Sequence, residues 1–129
     1  MTLFPSPETA ATRFLLRPPD PSYAVEGTDF TLKWIYTLDG SLKAVGFYNI
    51  TYKTKYDLIG SRNGCGRIKS KQKYEARFRA QAKSTGAELT ILAVQSSDEG
   101  TYKLMVVSSK SGAIISNRAK IIVHCKYNY

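Results

Sequence analysis

Asp98-Glu99-Gly100-Thr101-Tyr102-Lys103-Leu104-Met105-Val106-Val107-Ser108 is the stretch that decides the fold. A polar turn with a glycine opens into a run where Tyr102, Leu104 and Val106 alternate with Lys103, Met105 and Val107. Successive side chains leave a strand on opposite sides, so a period of two commits one face to an interior. Upstream, Leu89 and Ile91 alternate with Glu88 and Thr90, and Phe30, Leu32 and Trp34 with Thr31 and Lys33. No apolar spacing of three and four persists over a helix length from Tyr23 onward. Short runs rich in Val, Ile, Thr, Phe and Tyr, bounded by Gly, Asn, Asp and Ser, predict strands over 23–25, 29–37, 43–53, 56–59, 74–80, 87–94, 100–108 and 113–124. Turns are expected at 38–40, 61–66, 84–86, 96–99 and 109–112. Such spacing predicts an all-β domain, either two antiparallel sheets packed face to face or a small barrel.

The 129 residues suffice for one core, and 43% hydrophobic and 12% aromatic content excludes a disordered tail. All five prolines fall within residues 1–22, which leaves that segment only a short edge strand at Phe14-Leu15-Leu16. The domain proper is expected over 23–124, and residues 125–129 read as the start of a linker to a following domain. No apolar stretch approaches the roughly 18 residues of a membrane span, and the first residues lack the basic and apolar regions of a secretory signal.

Catalytic chemistry finds no support. The sequence has no nucleophile elbow, phosphate-binding glycine loop or H-E-x-x-H. Two cysteines and the single histidine, His124, do not make a metal site. No enzyme, metal or cofactor is expected. With 19 Lys and Arg against 10 Asp and Glu, the net charge of +9 favours weak, salt-sensitive attraction to polyanions. The excess is concentrated in Arg67, Lys69, Lys71, Lys73, Arg77 and Arg79, interrupted only by Glu75. This run reads first as a solvated loop and edge strand whose lysines oppose sheet-to-sheet aggregation. An anionic glycan such as heparin is its alternative ligand; nucleic acid is not expected as a partner.

Asp98-Glu99-Gly100-Thr101-Tyr102 resembles the D-x-G-x-Y signature of immunoglobulin-superfamily domains. Arg77-Phe78 resembles the opening of their strand D, at the offset before Asp98 that variable-type domains keep. Ala87 to Ile91 resembles strand E, and Glu26 to Leu32 the approach to strand B. The resemblance spans Tyr23 to His124 and implies a V-set-like sandwich. It also implies an Arg77–Asp98 salt bridge closing one end and a Tyr102 hydroxyl bonded to the turn before it.

The departures are equally specific. Trp34 and Leu104 stand where the superfamily places its core cysteines, and Phe47 stands for the strand C tryptophan. A lost disulfide costs about 2–5 kcal/mol, while burying a tryptophan of up to ~250 Å² contributes a gross ~6 kcal/mol. Cys65 and Cys125 lie elsewhere. A bridge between them would close about 60 residues and contribute roughly 4 kcal/mol, although the implied strand order separates them by several strands. Free thiols, or a Cys125 paired with a following domain, are the alternatives. Asn49-Ile50-Thr51 matches a glycosylation sequon, yet Asn49 shares the inward face of Phe47.

With Phe47 inward, Tyr48, Ile50 and Tyr52 face outward, as do Lys103, Met105 and Val107, and Lys120, Ile122 and His124. In the implied fold these strands adjoin, so one sheet face collects tyrosine, isoleucine, methionine and valine, the composition of an interface centre. Variable-type domains commonly pair through this face. The missing core cysteines, Phe47 and the shifted cysteines resemble the allorecognition receptors of colonial hydroids, which bind homophilically between cells. That resemblance implies a membrane-anchored ectodomain on the extracellular face of the plasma membrane, recognising a copy of itself in self/non-self recognition. A glycan-binding or heterophilic receptor domain using the 67–79 run, and an intracellular structural module of the muscle type, are the competing readings.

Overall fold

Alternation builds the strands, and their pairing order builds two layers. A computed structural model describes residues 11–52 and 55–126, with only the backbone of Tyr52. The expected outward side chain of Tyr52, and the terminal stretches 1–10 and 127–129, lie outside the described residues. The strands are β1 (Arg13–Leu16), β2 (Ser22–Val25), β3 (Phe30–Thr37), β4 (Leu42–Tyr52), β5 (Lys55–Asn63), β6 (Lys69–Ser70), β7 (Phe78–Lys83), β8 (Gly86–Ile91), β9 (Gly100–Ser108) and β10 (Ile114–His124). One sheet has the order β1-β3-β8-β7 and the other β2-β10-β9-β4-β5-β6. The result is the expected two-sheet sandwich rather than a barrel. All pairings among the described strands are antiparallel except β2 on β10, which is parallel because the first edge strand changes sheets between β1 and β2.

Three expectations need correction. The strand expected over 74–80 begins only at Phe78, and Gln72–Glu75 form a helical turn, α1. Tyr74 dictates this: it is buried, its hydroxyl donates to Asp57 Oδ2 at 2.5 Å, and its ring meets Phe78 edge-on at 5.0 Å. The turn expected from Ser61 starts later, because β5 stays paired with β4 as far as Asn63 opposite Ala44. The strand expected to reach Val94 stops at Ile91, since Ala93 takes a positive φ of 46° that a strand cannot contain.

Trp34, Phe47 and Leu104 lie at the centre of the core, each 1% exposed or less. The indole meets the Phe47 ring in a T-shaped contact at 6.3 Å, and Leu104 sits beside Phe47 in register. Aromatic contact thus joins the layers where a disulfide would have done so. The indole N–H donates to Asn117 Oδ1 at 2.9 Å, which satisfies the one polar group of Trp34. At one end of the sandwich, Arg77 grips Asp98 with Nη2 to Oδ1 at 2.7 Å and Nη1 to Oδ2 at 2.9 Å. The Tyr102 hydroxyl donates to the Asp98 carbonyl at 2.6 Å. Both contacts match the expectation.

Cys65 and Cys125 are free and exposed. Cys65 follows β5, three strands from β10, and at about 4.8 Å per strand that separation far exceeds the roughly 7 Å Cα limit of a disulfide.

Asn117→Ala strands the indole N–H and is expected to lower unfolding free energy by about 1–3 kcal/mol in urea denaturation, with the slope unchanged. Burial pushes the Asp98 carboxyl up, but hydrogen bonds from Arg77 and the Gln95 N–H outweigh it and hold it below its ordinary range. A depressed folded pKa contributes stability above the unfolded value of about 3.9 and loses it as pH falls through the folded value. Asp98→Asn is therefore expected to be less stable at neutral pH yet to lose stability less steeply on acidification, measured by urea titrations across that window.

Candidate functional site

Cross-strand register sets the outward side chains of the six-stranded sheet in rows. Lys120, Thr101, Ile50 and Tyr56 form one; Arg118, Lys103, Tyr48 and Leu58 the next. Ser116, Met105, Gly46 and Ser61 follow, and then Ile114, Val107, Ala44 and Asn63. Tyr48, Ile50, Lys103, Met105, Val107 and Ile122 are half-buried and Lys120 is exposed, so the described residues expected on this face share it. Beyond β10 the face continues to Tyr23 on β2, whose ring stacks on His124 at 5.3 Å.

Sequence reasoning missed Tyr23, Tyr56, Ile114 and Arg118 on this face. Tyr56 is 42% exposed and Ile114 62%. Tyr56 is the hub of the lower rows: its ring lies 6.1 Å from that of Tyr48, with Lys103 Nζ 4.7 Å and Arg118 Cζ 5.6 Å from its centroid. Arg118 Nη2 also donates to its hydroxyl at 2.6 Å. Counting back by twos from Lys120 reaches Arg118 and Ile114, a signal available in the sequence. Tyr56 was harder to place, because the register shifts between Phe47 and Tyr48 and breaks parity with β4.

Gly46 gives Tyr48 its place. A Cβ there would stand 2.7 Å from the Tyr48 hydroxyl oxygen, so the ring lies flat across the glycine and flattens the face. The upper rows are uncharged, with Met105, Val107, Ile114 and Ala44 beside Ser61, Asn63 and Ser116, and the lower rows carry the cations. No carboxylate lies among the outward residues of these rows.

Above the face, Asp39 ties the turns at 38–41 and 109–112 together. Its carboxylate accepts from the buried Ser108 hydroxyl and from Thr12 Oγ1 at 3.0 Å. The Ser108 hydrogen bond, followed by that of Ser111, holds this carboxyl below its ordinary range. Ser41 N–H donates to Ser109 Oγ at 3.0 Å across the same junction.

The 67–79 run is less of a site than its charge suggests. Arg77 is committed to Asp98, and Lys73 pairs with Asp57. Arg79 donates to the Glu75 carbonyl at 2.7 Å. Arg67, Lys69 and Lys71 are left exposed without an ion pair among the described residues, with Lys69 on the edge strand β6. Asn49 of the sequon is half-buried and shares a side-chain hydrogen bond with Tyr74.

The sequence matches no protein-family model and no characterised protein. Among solved structures, murine CRIg matches with a TM-score of 0.68 at 19% identity, over 92% of this chain and 100% of that chain. A chicken TCR matches with a TM-score of 0.68 at 15% identity, over 84% of this chain and 49% of that one. The titin domains Z1Z2, in complex with telethonin, match with a TM-score of 0.66 at 19% identity, over 92% and 50%. At these identities the likeness establishes the fold alone, an immunoglobulin-like sandwich. No helix among the described residues is long and apolar enough to cross a membrane.

Gly46→Ala is expected to swing the Tyr48 ring off its bed at a cost of about 1 kcal/mol or less, because the obstructed group is the free end of a side chain. Thermal melting lowered by no more than a few degrees, together with displaced Tyr48 ring resonances in NMR, is the outcome to look for.

Proposed function

We propose that this domain is the recognition module of a membrane-anchored cell-surface receptor, and that it binds a second copy of itself on an opposing cell through the outward face of the six-stranded sheet. The contrast between the two outer faces carries the reading. On the four-stranded sheet the outward residues include Thr31, Lys33, Arg79, Gln81, Glu88 and Thr90, a polar face suited to water. The six-stranded sheet instead presents Met105, Val107, Ile114, Ile50, Tyr48 and Tyr56. Tyr and Met are enriched at interface centres, and a contiguous apolar patch on a soluble face marks a binding site.

Self-contact has to manage charge. Lys103, Arg118 and Lys120 occupy the lower rows, whose outward residues include no carboxylate, so copies aligned in parallel would oppose like charges. An antiparallel contact about a two-fold axis through the Ile114–Val107 row avoids this. It sets Lys103 and Arg118 roughly 13 Å from the axis, at about 3.3 Å per residue, and therefore some 26 Å from their counterparts. That is several times the Debye length of about 8 Å. Antiparallel copies also leave in opposite directions, as opposing cells require.

The strand order, in which β5 and β6 extend the larger sheet, supports the variable-type assignment. The resemblance of the Trp34, Leu104 and Phe47 pattern to hydroid allorecognition receptors supports a role in self/non-self recognition. In that role the outward side chains and the turns joined by Asp39 set the specificity.

Beads coated with the domain are expected to cluster, with only weak dependence on salt. Met105→Asp and Ile114→Asp are expected to bring clustering to the level of uncoated beads while thermal melting stays within a few degrees. Clustering by both variants at the parent level removes the sheet face from the contact, and steep loss of clustering with modest salt assigns it to charge instead.

A further inference from the structure

We propose a second recognition site, which meets the sheet face only at Tyr23: an open stretch of the β3 edge that takes an extended acidic segment of a partner protein as an added strand. β1 pairs with β3 only across Ile35–Thr37. The chain then crosses to the other sheet through Pro18-Pro19-Asp20-Pro21 and continues as β2 beside β10. Among the described residues, Thr31 and Lys33 are consequently flanked by β8 on one side and by no strand on the other.

Backbone direction makes this edge usable. The Tyr36 N–H donates toward the β8 side, to the Thr85 carbonyl at 3.2 Å. Backbone polar groups alternate in direction along a strand. The N–H and C=O groups of Thr31 and Lys33 therefore point to the open side, which is the pattern a docking strand recognises.

A groove of about 500 Å³ lies over this edge, walled by Leu16, Pro18, Tyr23 and Phe30 and rimmed by Arg17 and Lys33. No carboxylate of the described residues lines it. Asp20, on the strap above, is engaged elsewhere as the acceptor of the Lys120 N–H at 3.0 Å. The two features specify the occupant. A strand lying along Thr31 and Lys33 turns alternate side chains into the apolar groove and the others toward the rim. The matching segment therefore alternates apolar with acidic residues and contains no proline where its N–H groups must pair.

A capped heptapeptide alternating valine with glutamate, titrated into isotopically labelled protein, tests the proposal. Saturable shifts and slowed hydrogen exchange at the Thr31 and Lys33 amides are expected. Arg17→Glu is expected to weaken binding about ten-fold, through the lost charge complementarity. Thr31→Pro withdraws a donor from the open side without touching the β8 ladder, and is expected to abolish binding. The same peptide N-methylated at alternate residues makes the equivalent cut from the ligand's side, so the test stands even if that variant does not fold. Absence of saturation at millimolar peptide, or equal binding by the N-methylated peptide, overturns the proposal. Neither outcome bears on bead clustering, which depends on the opposite layer.

Discussion

The Trp34 indole, set edge-to-face against Phe47 and hydrogen-bonded to Asn117, is the contact on which the molecule depends. It joins β3 of one layer to β4 and β10 of the other, at the position where the immunoglobulin domains that this fold resembles place a covalent link. A disulfide acts largely by restricting the unfolded chain, whereas this arrangement acts in the folded state, through area removed from water and one satisfied polar group. Its strength therefore depends on shape: the indole, the phenyl ring and Leu104 have to fill the space together.

With the interior fixed in this way, the two exteriors diverge. One layer shows water a mixture of threonine, lysine and glutamate. The other shows a flat apolar field bordered by cations gathered around Tyr56. Flatness comes from Gly46, which lets a tyrosine lie down instead of standing up. The sheet change between β1 and β2 adds a third surface, because a strand divided between two layers covers only half of each edge.

Much of this could be read in the residues. Alternation located the strands, and the aspartate-glycine-tyrosine turn located the Arg77–Asp98 clamp and the Tyr102 hydroxyl bond. Burial of Trp34, Leu104 and Phe47 followed from the same alignment. What escaped was whatever depends on one strand's position against another. Asn117 looks like an ordinary polar residue until β10 is laid beside the core, where it becomes the acceptor an indole needs. Tyr74 fits a strand pattern equally well, yet it sits in the helical turn, buried against Phe78 with its hydroxyl on Asp57. Tyr56 reached the candidate face through a register shift that no periodicity announces. The charge of the 67–79 run and the pairing of Arg77 with Asp98 were legible, but the pairing of Lys73 with Asp57 was not.

Asn117 also carries a kinetic consequence. It belongs to β10, which comes last in sequence order among the described strands and yet lies inside its sheet, between β2 and β9. A ribosome delivers the chain from its N-terminus at about 5–20 residues per second, so for several seconds the nascent polypeptide holds a tryptophan whose acceptor has not yet been made. The six-stranded layer cannot close before that final segment arrives, and until then the half-finished product is one for chaperones to shield. Once it emerges, no oxidant is needed to complete the interior.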